Sequence, residues 1–157
     1  VVAGGGLPLF RDGARRARRS ILLPAATPAD SDRILDFFVR RAVQGDGFRW
    51  ALLEADGGAF VGALGFNHLA PVSELAWHLR PDHWGRGLAA EAARAALAWL
   101  AAERPGAAVQ AFIDPANTAS IRLARRLGFA PADDPERWVW TRDDHDVRLM
   151  LRFRRCR

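Results

Sequence analysis

Leu79-Arg80-Pro81-Asp82-His83-Trp84-Gly85-Arg86-Gly87-Leu88-Ala89-Ala90-Glu91-Ala92 joins two unlike patterns, and its reading decides the fold. Upstream, Ser73 to Leu79 alternates Leu75, Trp77 and Leu79 with Glu74, Ala76 and His78, the period of a strand with one apolar face and one bearing ionisable groups. Downstream, Leu88 to Glu103 is rich in alanine, carries Trp99 and Leu100 near its end and stops at Pro105-Gly106, which predicts a helix. Pro81 to Gly87 between them is a loop, and Gly85 and Gly87 let backbone N–H groups approach a ligand with no Cβ in the way. Those amides and the helix N-terminus would make an anion site. The ending Gly-Lys-Ser/Thr of a Walker loop is missing, and a dinucleotide fingerprint would need a third glycine. Taken alone, the loop reads as well as a structural turn.

The flanking sequence supplies more elements. Ile21 to Leu23 is a short strand candidate ended by Pro24, and Thr27-Pro28-Ala29-Asp30-Ser31 offers cap chemistry before Ile34, Leu35, Phe38 and Ala42 at helical spacing. Gly45-Asp46-Gly47 breaks that helix. Phe48 to Glu54 and Phe60 to Phe66, joined across Asp56-Gly57-Gly58, read as a β-hairpin. After the central helix, Ala108 to Ile113 reads as a strand, Asp114 to Asn117 as a turn and Thr118 to Leu127 as a helix closed by Gly128. Arg137 to Thr141 and Val147 to Phe153 are the last strands, the second alternating Val147, Leu149, Leu151 and Phe153 with Arg148, Met150, Arg152 and Arg154. Helices interleaved with strands predict an α/β fold, a single-domain mixed sheet flanked by helices.

Composition narrows the function classes. The 157 residues suit one domain, and with 50% hydrophobic and 26% charged residues the chain has material for a core. The longest apolar candidate, Leu88 to Ala102, is interrupted by Glu91 and Arg94, so no membrane span is expected. Arg18-Arg19 resembles the start of a twin-arginine export signal, but Pro24 and Pro28 break the segment too early. Cys156 is the only cysteine, which excludes an intrachain disulfide and fits a cytoplasmic protein; His68, His78, His83 and His145 lack metal-ligand spacing, so no metal is expected. All 23 basic residues are arginine, against 18 acidic ones. The net charge of +5 favours an anionic ligand, although arginine without lysine is also what a GC-rich coding sequence produces. Arg11, Arg15, Arg16, Arg18 and Arg19 fall in residues 1–20, read as a flexible basic leader ahead of a folded domain at 21–157. No aromatic-basic recognition motif accompanies the arginines, so a nucleic-acid partner is not expected.

The quoted stretch, followed by Asn117-Thr118-Ala119-Ser120 and Leu127-Gly128-Phe129, resembles the GCN5-related N-acetyltransferase (GNAT) family, and within it the branch of the ribosomal-protein N-terminal acetyltransferases. The resemblance spans roughly Ile21 to Phe153. It implies the acyl-CoA N-acyltransferase fold with a mostly antiparallel sheet, and acetyl-CoA as the acyl donor. The backbone at Leu79 would pair with the pantetheine arm, and the amides of Gly85, Arg86, Gly87, Leu88 and Ala89 would hold the pyrophosphate. Trp84 stands where the family usually has Gln or Arg, so one polar contact to the cofactor should be absent. Asn117 and Ser120 match positions beside the pantetheine and thioester.

Acetyl transfer needs a neutral amine, a stabilised oxyanion and a proton for the departing thiolate. Tyrosine often serves last in the family, and this chain has none. Ser120 is the substitute the motif offers, with a polar residue in a helix capped by Asn117 as the alternative. Glu74 matches an acidic position of the branch and is the candidate general base, directly or through water; an ion-paired glutamate is the other reading. His78 shares its strand face, and a structural role suits a lone strand histidine better than catalysis. His83 is expected to be solvated. Arg122, Arg125 and Arg126 form a helix face expected to be solvated as well, with contact to the 3′-phosphate of CoA as the alternative. The tryptophans are expected mostly in the core, Trp138 and Trp140 matching the acceptor cleft of relatives. The resulting expectation is an N-acetyltransferase for a protein or peptide N-terminal α-amine, with a small amine (antibiotic or polyamine) or a non-catalytic acyl-CoA-binding module as alternatives and a homodimer left open.

Overall fold

The computed structural model describes residues 27–55, 58–141 and 146–155, without the side chains of residues 30, 31, 135–141 and 146–149. The expected leader 1–20, the strand Ile21–Leu23, His145, Cys156 and the side chains of Trp138 and Trp140 lie outside that description. The elements in chain order are α1 (Pro28–Gln44), β1 (Phe48–Leu53), β2 (Phe60–Phe66), β3 (Ser73–Leu79), a 3₁₀ turn (Pro81–His83), α2 (Leu88–Glu103), β4 (Val109–Ile113), α3 (Thr118–Arg126), β5 (Phe129–Thr141) and β6 (Asp146–Arg155). Six strands form one sheet in the order β1-β2-β3-β4-β6-β5. Every neighbouring pair is antiparallel except β3 and β4. This is the expected mixed, mostly antiparallel sheet.

Helices α1 and α2 take opposite faces, and β1 shows why. Its even positions Phe48 and Trp50 pack edge-on against Trp99 of α2, with ring centroids 4.9 and 5.4 Å away. Its odd residue Arg49 lies over the Phe38 ring of α1. Alternation along one strand therefore separates α1 from the main core. On the α2 side, Ala93, Ala96, Leu97 and Leu100 are buried at helical spacing against Leu64, Phe66 and Leu75 of the sheet. Alanine at the contact lets the helix backbone approach the strands closely. A Schellman motif ends α1: Gly45 N–H donates to Ala42 O and Asp46 N–H to Arg41 O, with Gly45 at φ 73°.

Two expectations need correction at the C-terminal end. The strand expected at Arg137–Thr141 is the distal part of β5, which starts at Phe129 and pairs with β6 from Phe129↔Arg155 onward. Pro131 and Pro135 hide it, since proline donates no ladder hydrogen bond. At the edge of the sheet a strand accommodates them, with a register shift between Pro131 and Glu136. Met150, which alternation puts on the arginine face of β6, is only 3% exposed, so that face is covered at mid-strand.

Phe66 has no exposed surface and meets Phe48, Trp50 and Trp99. Phe66→Ala should lower the unfolding free energy by about 3–5 kcal/mol, read from urea unfolding, because the rigid aromatic neighbours cannot collapse into the void.

Candidate active site

β3 and β4 run parallel but pair only at Ser73↔Val109 and Glu74↔Gln110, after which they diverge. Ser73 N–H donates to Ala108 O on the β4 side, and Arg80 N–H donates to Val61 O on the β2 side. By alternation, the main-chain groups of Trp77 and Leu79 turn toward the cleft opened by the divergence. α2 begins just past the end of β3 and α3 just past the end of β4. Two helix N-termini thus flank the carboxyl ends of two parallel strands, where open α/β sheets bind ligands.

The two termini are finished differently. Asn117 accepts through Oδ1 from Ser120 N–H at 3.1 Å and so caps α3. The N-cap of α2 is Gly87 at φ 81°, with no side-chain cap hydrogen bond. Its first amides have no partner within the helix, as in any helix. A Cβ built on Gly85 (φ 78°) or Gly87 would meet nothing within 4 Å. An anion can therefore reach the amides from Gly85 to Ala89. Trp84 is half exposed rather than in the core, and its indole N–H donates to Leu79 O at 2.9 Å. That bond occupies the carbonyl of the residue expected to contact pantetheine, leaving the N–H of Leu79 as its cleft-facing donor.

Charged side chains brace the loop. Arg86 donates to Glu54 Oε1 at 3.0 Å, which links the loop to the β1–β2 hairpin. His83, expected to be solvated, is 12% exposed, with Nε2 3.4 Å from Glu54 and Nδ1 2.9 Å from Asp82. Asp82 also accepts two hydrogen bonds from Arg80, which with the His83 contact lower its carboxyl to about 2. Nothing in the sequence marks Glu54, because its partners lie about 30 residues on.

The candidate catalytic residues separate into two places. Ser120 Oγ accepts from Trp77 Nε1 at 3.2 Å across the base of the cleft, so the hydroxyl proton is directed elsewhere. Glu74 stands at the last β3–β4 pair, on the opposite sheet face, with its side chain 12% exposed. Asn67 Nδ2 donates to Glu74 Oε1, and Arg49 donates to Asn67 Oδ1. Burial lowers Arg49 to about 10, the Glu74 charge opposing the shift, so it remains a cation at neutral pH. His78 falls from 6.5 to about 3 through burial and then through the nearby Arg49 charge. A group that weakly basic holds no proton at neutral pH and is a poor general base. Arg122, Arg125 and Arg126 are exposed, as expected. Among the described residues no cluster of three His, Cys, Asp or Glu could hold a metal ion, and no helix is long and apolar enough to cross a membrane.

Residues 9–130 match the family model of the acetyltransferase (GNAT) domain. The chain belongs to the GNAT acetyltransferase family. It is 40% identical over 67 residues to the uncharacterized protein YkkB of Bacillus subtilis, a match covering 43% of this chain and 39% of that protein. It is 26% identical over 91 residues to the uncharacterized N-acetyltransferase p20 of Bacillus licheniformis, covering 56% of this chain and 51% of that one. The chain thus spans about half or less of the length of these curated relatives. A solved GnaT-family acetyltransferase from Bordetella pertussis superposes with a TM-score of 0.70 at 27% identity, covering 91% and 86% of the two chains. The fold alone is shared with a protein described as a ribosomal-protein-serine acetyltransferase of Vibrio cholerae (TM-score 0.73, 15% identity, 82% and 75% covered). It is shared equally with a Vibrio cholerae spermidine N-acetyltransferase chimera (TM-score 0.65, 13% identity, 90% and 83% covered). Acetyl-CoA is the acyl donor of GNAT acetyltransferases, and the uncapped amides with open space at Gly85 and Gly87 suit its pyrophosphate.

The loop geometry makes Gly87→Val a direct test. The variant puts a branched side chain into that space and forces a left-handed backbone costing about 1–2 kcal/mol on an L-residue. Its dissociation constant for acetyl-CoA in calorimetric titration should rise about tenfold or more. For His78 the sign follows from linkage. The unfolded chain takes up a proton below 6.5 that the folded chain refuses until about 3, so the stability due to a neutral His78 is complete above 6.5 and is lost as pH falls. Urea unfolding of the parent should show a steeper loss between about pH 6.5 and 5 than His78→Gln, by at most ~1.4 kcal/mol per pH unit.

Proposed function

We propose that the chain is an acetyl-CoA-dependent N-acetyltransferase whose acceptor is a protein or peptide N-terminal α-amine. The observation that carries this reading is the cleft where β3 and β4 part, with an uncapped, glycine-entered helix N-terminus beyond it and a carboxylate at its vertex. The helix N-terminus suits a diphosphate and the carboxylate suits an ammonium.

In the proposed reaction Glu74 takes a proton from the acceptor ammonium, directly or through one water. The amine lone pair then attacks the thioester carbonyl carbon, and the carbon–sulfur bond breaks with its electron pair going to sulfur. The nitrogen loses its surplus proton, which passes through water or the Ser120 hydroxyl to the thiolate so that CoA leaves as the thiol. Ser120 is oriented by the Trp77 indole so that its own O–H can donate to that sulfur. Asn117 caps α3 and fixes the first turn that carries Ser120. No covalent acyl-enzyme is needed.

An α-amine is the acceptor that asks least of such a site. Its pKa near ~7.8 against ~10.4 for lysine makes deprotonation at neutral pH easier by roughly 3.5 kcal/mol. The test is steady-state CoA release with a panel of peptides with free N-termini, N-blocked lysine peptides and polyamines. Peptide α-amines should give the highest kcat/KM; a polyamine optimum overturns the acceptor class, and silence throughout the panel overturns the enzyme reading. In the same assay Glu74→Gln should lower turnover about tenfold or more near pH 7 and recover much of it near pH 9.5, where the amine is already neutral. A deficit of constant size across that range removes Glu74 from the role of base.

A further inference from the structure

Asn67 and His68, consecutive residues of the β2–β3 connection, stand on either side of the Glu74 carboxylate. The main chain fixes them there: Asn67 N–H donates to Glu74 O at 2.8 Å, and Glu74 N–H donates to His68 O at 2.9 Å. On one side the side chains run Arg49 to Asn67 to Glu74 Oε1. On the other, His68 Nδ1 lies 3.0 Å from Arg41 Nη2, and His68 Nε2 lies 3.9 Å from Glu74 Oε2. A guanidinium can only donate, so Nδ1 accepts and the imidazole proton sits on Nε2, the nitrogen facing Glu74. Both chains therefore share one direction, from a cation through a neutral bridge to the same carboxylate. Their cations are anchored alike, Arg41 over Phe37 and Arg49 over Phe38, consecutive residues of α1.

We propose that Asn67 and His68 are positioning residues that aim the Glu74 carboxylate at the acceptor amine, His68 forming the solvent-side relay and Asn67 the buried one. The inference rests on the reading of Glu74 as the acceptor-side carboxylate. A guanidinium bound directly to Glu74 would claim the carboxylate with a fork of charged donors. Neutral bridges leave carboxylate lone pairs for the amine or a water: Asn67 bonds Oε1 through one N–H, and the Nε2–H of His68 faces Oε2 from 3.9 Å, outside direct hydrogen-bond reach. His68, with its side chain 53% exposed, is the bridge that can be changed without opening the core.

The experiment uses the full chain and compares His68→Ala with His68→Gln, each alone and combined with Glu74→Gln. Acceptor kcat and KM are measured with the preferred acceptor of the panel, and acetyl-CoA affinity by calorimetry. His68→Ala should reduce acceptor kcat/KM about tenfold while leaving the acetyl-CoA dissociation constant within about twofold, which also reports a folded protein. His68→Gln should recover most of the loss, since its amide oxygen can accept from Arg41 and its N–H can donate to Glu74. In the Glu74→Gln background His68→Ala should add less than about twofold, the signature of acting through that carboxylate. Equal impairment of the Ala and Gln variants, or an undiminished effect in the Glu74→Gln background, overturns the relay. If Glu74→Gln is impaired and His68→Ala is not, the relay alone fails; if Glu74→Gln is itself silent, the reading of Glu74 fails and takes the relay with it.

Discussion

The parting of β3 from β4 after two residue pairs is the constraint on which the rest depends. Two parallel strands side by side ordinarily satisfy each other along their whole length. Here the pairing stops at Glu74↔Gln110, and main-chain groups of β3 turn into a cleft that needs another partner. The same divergence separates the starts of α2 and α3, so both helix N-termini border the opening. The Trp77 to Ser120 hydrogen bond ties the two sides together at the base.

Along the cleft the groups on offer change from main-chain donors to a carboxylate acceptor. At the loop end stand glycine-framed amides and a helix N-terminus, braced by the chain Arg80, Asp82, His83, Glu54 and Arg86. These surface pairs, in which only His83 is mostly covered, contribute little stability individually. Their effect is geometric, because they tie a loop with two glycines at positive φ to a hairpin on the other side. At the vertex stands the Glu74 carboxylate, bonded by Asn67 and faced by His68 of the β2–β3 connection, with Arg49 of β1 and Arg41 of α1 as the next links. The proposed substrates, phosphates at one end and a cationic amine at the other, suit that order.

The histidines show where a sequence reading reaches its limit. His78 was recognisable as a strand residue sharing a face with Glu74. Its suppressed basicity comes from burial that strand periodicity does not report, and then from Arg49, two strands away in the sheet. His83 looked solvated because loop residues usually are, yet two carboxylates enclose it, one of them from the distant hairpin. His68 stood in no motif at all; its meaning depends on Arg41, 27 residues away on α1.

Most of the fold was determined locally and was therefore legible. The period-two pattern of Ser73 to Leu79, the glycine loop, the alanine-rich run to Glu103 and Asn117 ahead of Thr118 each carry their structure in neighbouring residues, and β3 and α2 lie where the pattern puts them. The tertiary structure alone decided how long β5 is, since prolines at an edge are tolerated only because the edge exists. It decided equally that Trp84 closes on Leu79, that Arg86 pairs with Glu54, and that two arginines converge through Asn67 and His68 on one carboxylate. The reason is physical: helix and strand periods are set by residues a few positions apart, whereas hydrogen bonds among polar side chains depend on which faces the sheet order brings together.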